Sequence, residues 1–257
     1  MPKYQERLWG NIFVIFMDLP DLVKSSLMIF SGKRSFSNLF NDYNAKFLPE
    51  TQYLNLKFDK KKINFDKGNR YSFYIEQYEE KLFFITKNGN FHKSKVSELL
   101  ENDKKLNSIK LKHQNLFRDN ESELNILDTL IIDNKIYLTK AFNQKGCKKL
   151  SIVFSELNDV LDFKTFKEFE ECAEIGIGAG RIQKYKINSV EGILLSTTDS
   201  DNDNPGKKAQ NRNSIFGKIL FINLADAEHK VYSLGHRNIQ GIAVQEDIVI
   251  STEHGPK

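Results

Sequence analysis

Residues 133–139 read Asp-Asn-Lys-Ile-Tyr-Leu-Thr, a polar turn followed by three strand-forming residues and a hydroxyl residue. The same pattern occurs four times, and its apolar parts begin at residues 83, 136, 193 and 248, which are 53, 57 and 55 residues apart. Such a constant interval indicates an internal repeat with one supersecondary unit per copy. The four copies are Phe83–Thr86, Ile136–Thr139, Ile193–Ser196 and Ile248–Ser251.

Another strand-like run precedes each polar turn. Turn-linked strand pairs at this interval are typical of the four-stranded blades of a β-propeller, so we predict an all-β, propeller-type fold. Chance similarity among the strands of an unrelated β-sandwich is the alternative, and the constant spacing favours the propeller. We assign residues 99–106 and 163–172, whose local pattern is ambiguous, to blade connections. The preceding runs are Tyr71–Ile75, Ile126–Ile132, Arg181–Ile187 and Gly241–Val244.

We predict an N-terminal segment over residues 1–50 and a partial propeller over 51–257. Leu8–Met17 is apolar but shorter than the roughly 20 residues that span a bilayer, and Asp18 and Pro20 end the run. A degenerate signal or membrane-proximal segment and an ordinary buried or interfacial helix both stay open, so membrane association through this segment is one of two alternatives. The repeat gives about three and a half units where closure needs about four or more blades. We therefore expect a C-terminally truncated fragment, or a propeller that a partner completes, with an open blade edge near residues 241–251.

The composition argues against two classes of protein. With 40% hydrophobic residues and a net charge of +4, the chain has ample material for a core and does not resemble a disordered protein. Its basic residues are mostly lysines interspersed with acids, whereas nucleic-acid binding favours an arginine-containing stripe, so no nucleic-acid partner is expected. Cys147 and Cys172 lack metal-type spacing, and we favour two buried or half-buried thiols, with a disulfide as the alternative.

The most distinctive stretch is YSLGHRNIQG at residues 232–241, followed by EHGP at 253–256. Arg237 can clamp a carboxylate, and Asn238 and Gln240 can each donate and accept hydrogen bonds. A blade-connecting loop whose polar side chains satisfy buried backbone groups remains an equal alternative. We interpret DSDNDN, at residues 199–204, as a solvated loop, and GIGAG, at residues 176–180, as a weak match to a phosphate-binding turn.

Three stretches of the sequence together resemble those of a known family. GKILFIN at residues 217–223, YSLGHRNIQG and EHGP occur in an order and separation that resemble the soluble PQQ-dependent aldose sugar dehydrogenases, the glucose/sorbosone dehydrogenase family. A softer similarity extends upstream through residues 178–199 to about residue 120.

The resemblance implies a six-bladed propeller that holds pyrroloquinoline quinone (PQQ) and calcium and oxidises a sugar or a related alcohol or aldehyde. Arg237, Asn238 and Gln240 match or adjoin the family's cofactor-contacting residues. Gly255 and Pro256 match a pair whose backbone carbonyls help to bind calcium. The resemblance also implies a periplasmic or membrane-anchored extracytoplasmic location, with a cytoplasmic one as the alternative.

One position departs from the family. Aligning Gly180 and Arg181 with the family's Gly-Arg strand puts Ile177 where the family has a histidine base, and isoleucine cannot accept a proton. General base catalysis contributes about 10² to 10⁴ in rate. The alternative function is therefore a non-catalytic propeller that binds a sugar or a protein partner.

Overall fold

A computed structural model describes residues 73–87, 89–100, 106–112, 125–174, 176–201 and 205–254. The predicted N-terminal segment, residues 1–50, lies outside the described residues. Within the described part, neither helix has the length and apolar character that a membrane crossing needs.

Most of the described chain forms antiparallel sheets of consecutive strands, which we call blades 1 to 4. Blade 1 contains β1 (Phe73–Tyr78), β2 (Lys81–Thr86), β3 (Phe91–Lys95) and β4 (Asn107–Ser108), with helix α1 (Val96–Leu100) before β4. Strand β5 (Lys110–Leu111) follows it. Blade 2 contains β6 (Asn125–Ile132), β7 (Lys135–Gln144), β8 (Cys147–Glu156) and β10 (Lys164–Glu168), while β9 (Val160–Leu161) pairs in parallel with β5.

Blades 3 and 4 carry the stretches with the family resemblance. Blade 3 contains β11 (Ile182–Ile187), β12 (Val190–Ser196), β13 (Lys218–Asn223) and β14 (His229–Leu234), with helix α2 (Lys207–Gln210) between β12 and β13. Blade 4 contains, among the described residues, β15 (Ile239–Gln245) and β16 (Ile248–Glu253).

The four sequence repeats occupy equivalent positions in the four blades. Each lies in the second strand of its sheet, namely β2, β7, β12 and β16, and each pairs antiparallel with the strand before it. The first strands of successive blades lie against one another, β1 beside β6, β6 beside β11 and β11 beside β15. This is the arrangement of inner strands around a propeller axis, so the predicted all-β, propeller-type fold is confirmed.

The hydrophobic core lies between blades rather than within them. Three clusters fill the spaces between blades 1 and 2, blades 2 and 3, and blades 3 and 4. Successive residues of one strand face opposite clusters, so Ile136 and Leu138 face blade 1 while Tyr137 faces blade 3. Because both faces of β2, β7 and β12 are covered, their sequences contain nearly continuous apolar runs.

Two expectations from the sequence are wrong. Residues 163–172 are more than a connection, because Lys164–Glu168 forms the outer strand of blade 2. Cys147 and Cys172 are not free thiols but form a disulfide. The main chain accounts for this pairing, since the N–H of Ala173 donates to the carbonyl of Lys148 at 2.8 Å and brings the two segments together.

Candidate functional site

The site is built on the loop of residues 235–238, which leads from β14 of blade 3 into β15 of blade 4. The N–H of Gly235 donates to the Ala209 carbonyl at 3.0 Å, and the N–H of His236 donates to the Gly217 carbonyl at 3.1 Å. Gly217 has a φ of 67°, and a Cβ there would lie 2.7 Å from the carbonyl oxygen of His236. The glycine of GKILFIN is therefore required for the close approach of the YSLGHRNIQG loop.

The main chain of Arg237 is held on both sides. Its N–H donates to Oε2 of Glu253 at 3.0 Å. Its carbonyl accepts a hydrogen bond from the N–H of Asp199 at 2.7 Å. Arg237 itself is exposed. The side chain of Arg237, which we predict to bind a carboxylate, therefore lies at the surface, and two hydrogen bonds fix its main chain.

Asn238 and Gln240 are brought together with the glycine-rich segment before β11. Oδ1 of Asn238 accepts hydrogen bonds from Nε2 of Gln240 at 2.6 Å and from Oγ1 of Thr198 at 3.2 Å. Thr198 in turn accepts the N–H of Ala179 at 2.7 Å, and Gly178 adjoins the Asn238 amide. Because the amide oxygen of Asn238 is occupied by two donors, its NH₂ group is the part oriented for further hydrogen bonds.

Ile177 lies next to this cluster but faces the other way. It is buried, and it packs in the core between blades 2 and 3. The position where the resemblance calls for a histidine is therefore occupied by an apolar side chain that contributes to packing and supplies no proton acceptor.

Arg181 was not predicted as a site residue, but it contacts the main chain of the candidate site. Its Nε donates to the carbonyl of Gln240 at 2.9 Å, and its Nη1 donates to the carbonyl of Leu127. This one buried side chain in blade 3 therefore contacts blades 2 and 4. The only sequence signal was its place in the Gly-Arg strand of the family resemblance.

Asp128 completes this buried polar group. Its Oδ2 accepts the N–H of Ile182 at 2.9 Å. Burial raises the pKa of Asp128 to about 6, while the nearby Arg181 charge acts in the opposite direction. Burial also raises the pKa of Glu76 in blade 1 well above its usual value, and Asp128 adds to that shift.

The loop after β12 is also more buried than its composition suggests. Asp199 is 9% exposed and Ser200 is fully buried, so the prediction of a solvated loop is wrong for these two residues. Oδ2 of Asp199 accepts the N–H of Gly206 at 2.5 Å, which folds the loop back over the end of β12. Residues 202–204 of the same stretch lie outside the described residues.

A buried lysine anchors the segment that faces the site loop. Nζ of Lys218 donates to the carbonyls of Lys208, Ala209 and Phe216 at 2.7, 2.8 and 2.7 Å. Burial lowers the pKa of Lys218, an effect that Glu171 and Asp199 oppose. These bonds hold helix α2 where the Ala209 carbonyl can receive the Gly235 N–H.

The predicted calcium ligands, Gly255 and Pro256, lie outside the described residues. In the part of the chain that is described, no group of three or more His, Cys, Asp or Glu side chains could hold a metal ion.

Comparison with known proteins gives one match. Residues 132–257 match the family described as Glucose / Sorbosone dehydrogenase. No curated protein and no solved structure matches the chain. The family resemblance is thus confirmed for blade 3, for blade 4 and for all of blade 2 except most of β6.

Proposed function

Because residues 132–257 match the glucose/sorbosone dehydrogenase family, a family of sugar dehydrogenase-like propellers, we propose that this protein is a PQQ-dependent oxidoreductase. Its substrate is a sugar or a related alcohol or aldehyde. This proposal rests on one observation within the matched segment. Gln240 donates a hydrogen bond to Asn238, and both residues lie beside the exposed Arg237.

The donor set suits an anionic quinone. PQQ carries carboxylate groups, and a guanidinium makes strong, charge-assisted hydrogen bonds to a carboxylate. Arg237 would bind such a group, and the NH₂ of Asn238 would donate to a second oxygen. The chemistry supplied by a bound quinone is acceptance of a hydride from the substrate carbon. Calcium belongs to the proposal only through the backbone carbonyls of Gly255 and Pro256.

Proton removal is the step for which this chain offers no group at the expected place. Ile177 is buried and apolar, so it can exclude water but cannot take the proton of a substrate hydroxyl. We therefore expect turnover that is slower than that of a histidine-bearing relative by about 10² or more.

The test is reconstitution of the purified protein with PQQ and calcium. PQQ binding is measured by calorimetry, and aldose-dependent reduction of an electron-accepting dye measures turnover. Arg237→Ala is expected to weaken PQQ binding about tenfold, the loss of one charge-assisted hydrogen bond. Arg212→Ala, at an exposed arginine outside the site, is the matched control. Ile177→His is expected to raise turnover if its ring reaches the substrate.

Equal binding by wild type and Arg237→Ala would contradict the proposed cofactor site. Brisk wild-type turnover that depends on Arg237 would show that a group elsewhere acts as the base.

A non-catalytic propeller that binds a sugar or a protein partner is the second candidate. The specific observation in its favour is again Ile177, an apolar core residue at the position of the family's base. Saturable binding of an aldose to a protein that takes up no PQQ would favour this function over the first.

We further propose an extracytoplasmic location. The Cys147–Cys172 disulfide supports it, because disulfides persist mainly in oxidising compartments. The test is to isolate the protein from its native cell, with free thiols trapped at lysis, and to measure whether the Cys147–Cys172 disulfide is present.

A further inference from the structure

We propose that Glu253 is a positioning residue that sets the conformation of the Arg237–Asn238 turn, and that His236 in turn orients Glu253. This inference rests on the proposed function for its relevance to cofactor binding. Its structural part concerns only the chain's own residues and can be tested without a cofactor.

Glu253 is the last residue of β16, and it reaches across to the turn. Its Oε2 accepts the Arg237 N–H at 3.0 Å. The next residue, His254, donates its N–H to the Asn238 carbonyl at 3.2 Å. The end of β16 thus contacts both residues of the turn, one through a carboxylate and one through the main chain. Because a charged acceptor makes a stronger hydrogen bond than a neutral one, the Glu253 contact is expected to dominate.

His236 occupies the space between a hydroxyl and that carboxylate. Its Nε2 lies 2.8 Å from Oγ of Ser233, and its Nδ1 lies 3.7 Å from Oε1 of Glu253. The imidazole side chain is 16% exposed. A ring held at one nitrogen by Ser233 presents its other nitrogen to Glu253 at a distance longer than a hydrogen bond, so His236 acts on the carboxylate by limiting the space that it can occupy.

The order Ser233, His236 and Glu253 resembles that of a hydrolase triad, but the surrounding donors argue against such an activity. An acyl-transfer site needs N–H groups that are available to a developing oxyanion. The N–H groups of Gly235, His236 and Arg237 already donate to Ala209, Gly217 and Glu253. The three side chains are therefore better explained as a relay of contacts that supports the turn.

The consequence concerns Arg237, one of the residues proposed to bind the cofactor. With the Arg237 carbonyl held by Asp199 and its N–H held by Glu253, the peptide groups that flank the Arg237 side chain cannot rotate freely. Removing the carboxylate frees the peptide group between His236 and Arg237, so the backbone position from which the Arg237 side chain extends is no longer fixed on that side. The position of Glu253 between blade 4 and the turn makes the site depend on the correct placement of β16.

The first experiment follows backbone amide exchange at single-residue resolution in the protein without cofactor. In Glu253→Ala, the Arg237 amide is expected to exchange about tenfold faster than in wild type, since a charged acceptor is lost. Glu253→Gln retains a carbonyl acceptor, and its Arg237 amide is expected to stay within about threefold of wild type. Glu246→Ala, at the other end of the β15–β16 hairpin, is the matched control. An unchanged Arg237 amide in Glu253→Ala would overturn the inference.

The second experiment measures the dissociation constant for PQQ in the presence of calcium. Glu253→Ala is expected to weaken binding about tenfold, His236→Ala less, and Glu246→Ala not at all. Faster exchange at Arg237 with unchanged PQQ affinity would overturn the link between the turn and the cofactor. If wild type itself fails to bind PQQ, the proposed function fails, while the exchange data still decide the role of Glu253.

Discussion

The Nε atom of Arg181 lies 2.9 Å from the carbonyl oxygen of Gln240, so a buried side chain of blade 3 donates to the first strand of blade 4. The same guanidinium also donates to the carbonyl of Leu127 in blade 2. A single cation therefore connects three consecutive blades at the level of the candidate site. Its partners are main-chain oxygens, which fixes the relative register of the inner strands.

Arg181→Met should destabilise the protein strongly, because it keeps the aliphatic length but leaves two carbonyls without their donor and the buried Asp128 without its nearby cation. Removing one member of a buried charged group typically costs about 3 to 5 kcal/mol. Urea denaturation of wild type and variant measures the loss. Lys184→Met is the control, since Lys184 lies in β11, which directly follows Arg181, and pairs with Glu191 at 3.5 Å on the surface. Equal losses in the two variants would contradict the proposed role of Arg181.

The free energy of unfolding should rise as the pH falls from about 7 toward 4. Burial raises the pKa of Asp128 from 3.8 to about 6 in the folded protein. Between these values the folded state binds the proton more tightly than the unfolded chain, so lowering the pH favours folding. The contribution of Asp128 is at most about 3 kcal/mol.

Asp128→Asn removes this contribution. The amide keeps an oxygen for the Ile182 N–H but does not titrate, so the slope of stability against pH should decrease. Burial and the Asp128 charge also raise the pKa of Glu76, so a smaller shift of Glu76 in the variant adds to this decrease. Identical slopes in wild type and Asp128→Asn would show that Asp128 does not titrate in this range.

Reduction of the disulfide should destabilise the protein. Cys147 and Cys172 are 25 residues apart, and closing a loop of this length stabilises a protein by about 3 kcal/mol in the chain-entropy account. Thermal melting with and without dithiothreitol measures the effect. The Cys147→Ser, Cys172→Ser double variant should melt near the reduced wild type and should not respond to dithiothreitol. A response of the double variant would assign the effect to something other than this bond.

The 257-residue polypeptide should self-associate through β16. Among the described residues β15 is the strand that pairs with β16, and Ile248 and Ile250 are 63% and 53% exposed. Exposed apolar side chains on a strand favour association with another chain. Light scattering should therefore give a mass above that of a monomer, and Ile248→Lys with Ile250→Lys should reduce it. Val190→Lys, at another exposed apolar residue, is the control, and a monodisperse wild-type monomer would contradict the prediction.

The repeat could be predicted from the sequence because it is a local property. Each copy combines a turn and a strand within a few residues, and the turns share a left-handed residue, with φ of 54° at Glu79, 52° at Asp133 and 55° at Glu246. Asn238 and Gln240 are likewise proposed as site residues because they lie in one short polar stretch of sequence, and that assignment stays a prediction. Their neighbours Thr198 and Gly178 could not be predicted in this way.

The contacts between blades could not be predicted, because they join residues that are far apart in the sequence. Arg181 and Leu127 are 54 residues apart, and Arg181 and Gln240 are 59 residues apart. A periodic pattern shows which strands are equivalent but not which side chain reaches the neighbouring blade. The disulfide was missed on similar grounds, because the bridge between Lys148 and Ala173 that brings its cysteines together has no signal in their spacing.

The position of the disulfide also determines how the protein should unfold when its ends are pulled apart. Both cysteines of the chain are used within or directly beside blade 2, so no covalent crosslink joins one blade to another. Resistance at the blade boundaries comes from side chains such as Arg181 and from apolar packing, which rupture at lower force than a covalent bond. A chain stretched from its ends should therefore come apart blade by blade. The segment closed by Cys147 and Cys172 should remain as a loop that lengthens only after reduction.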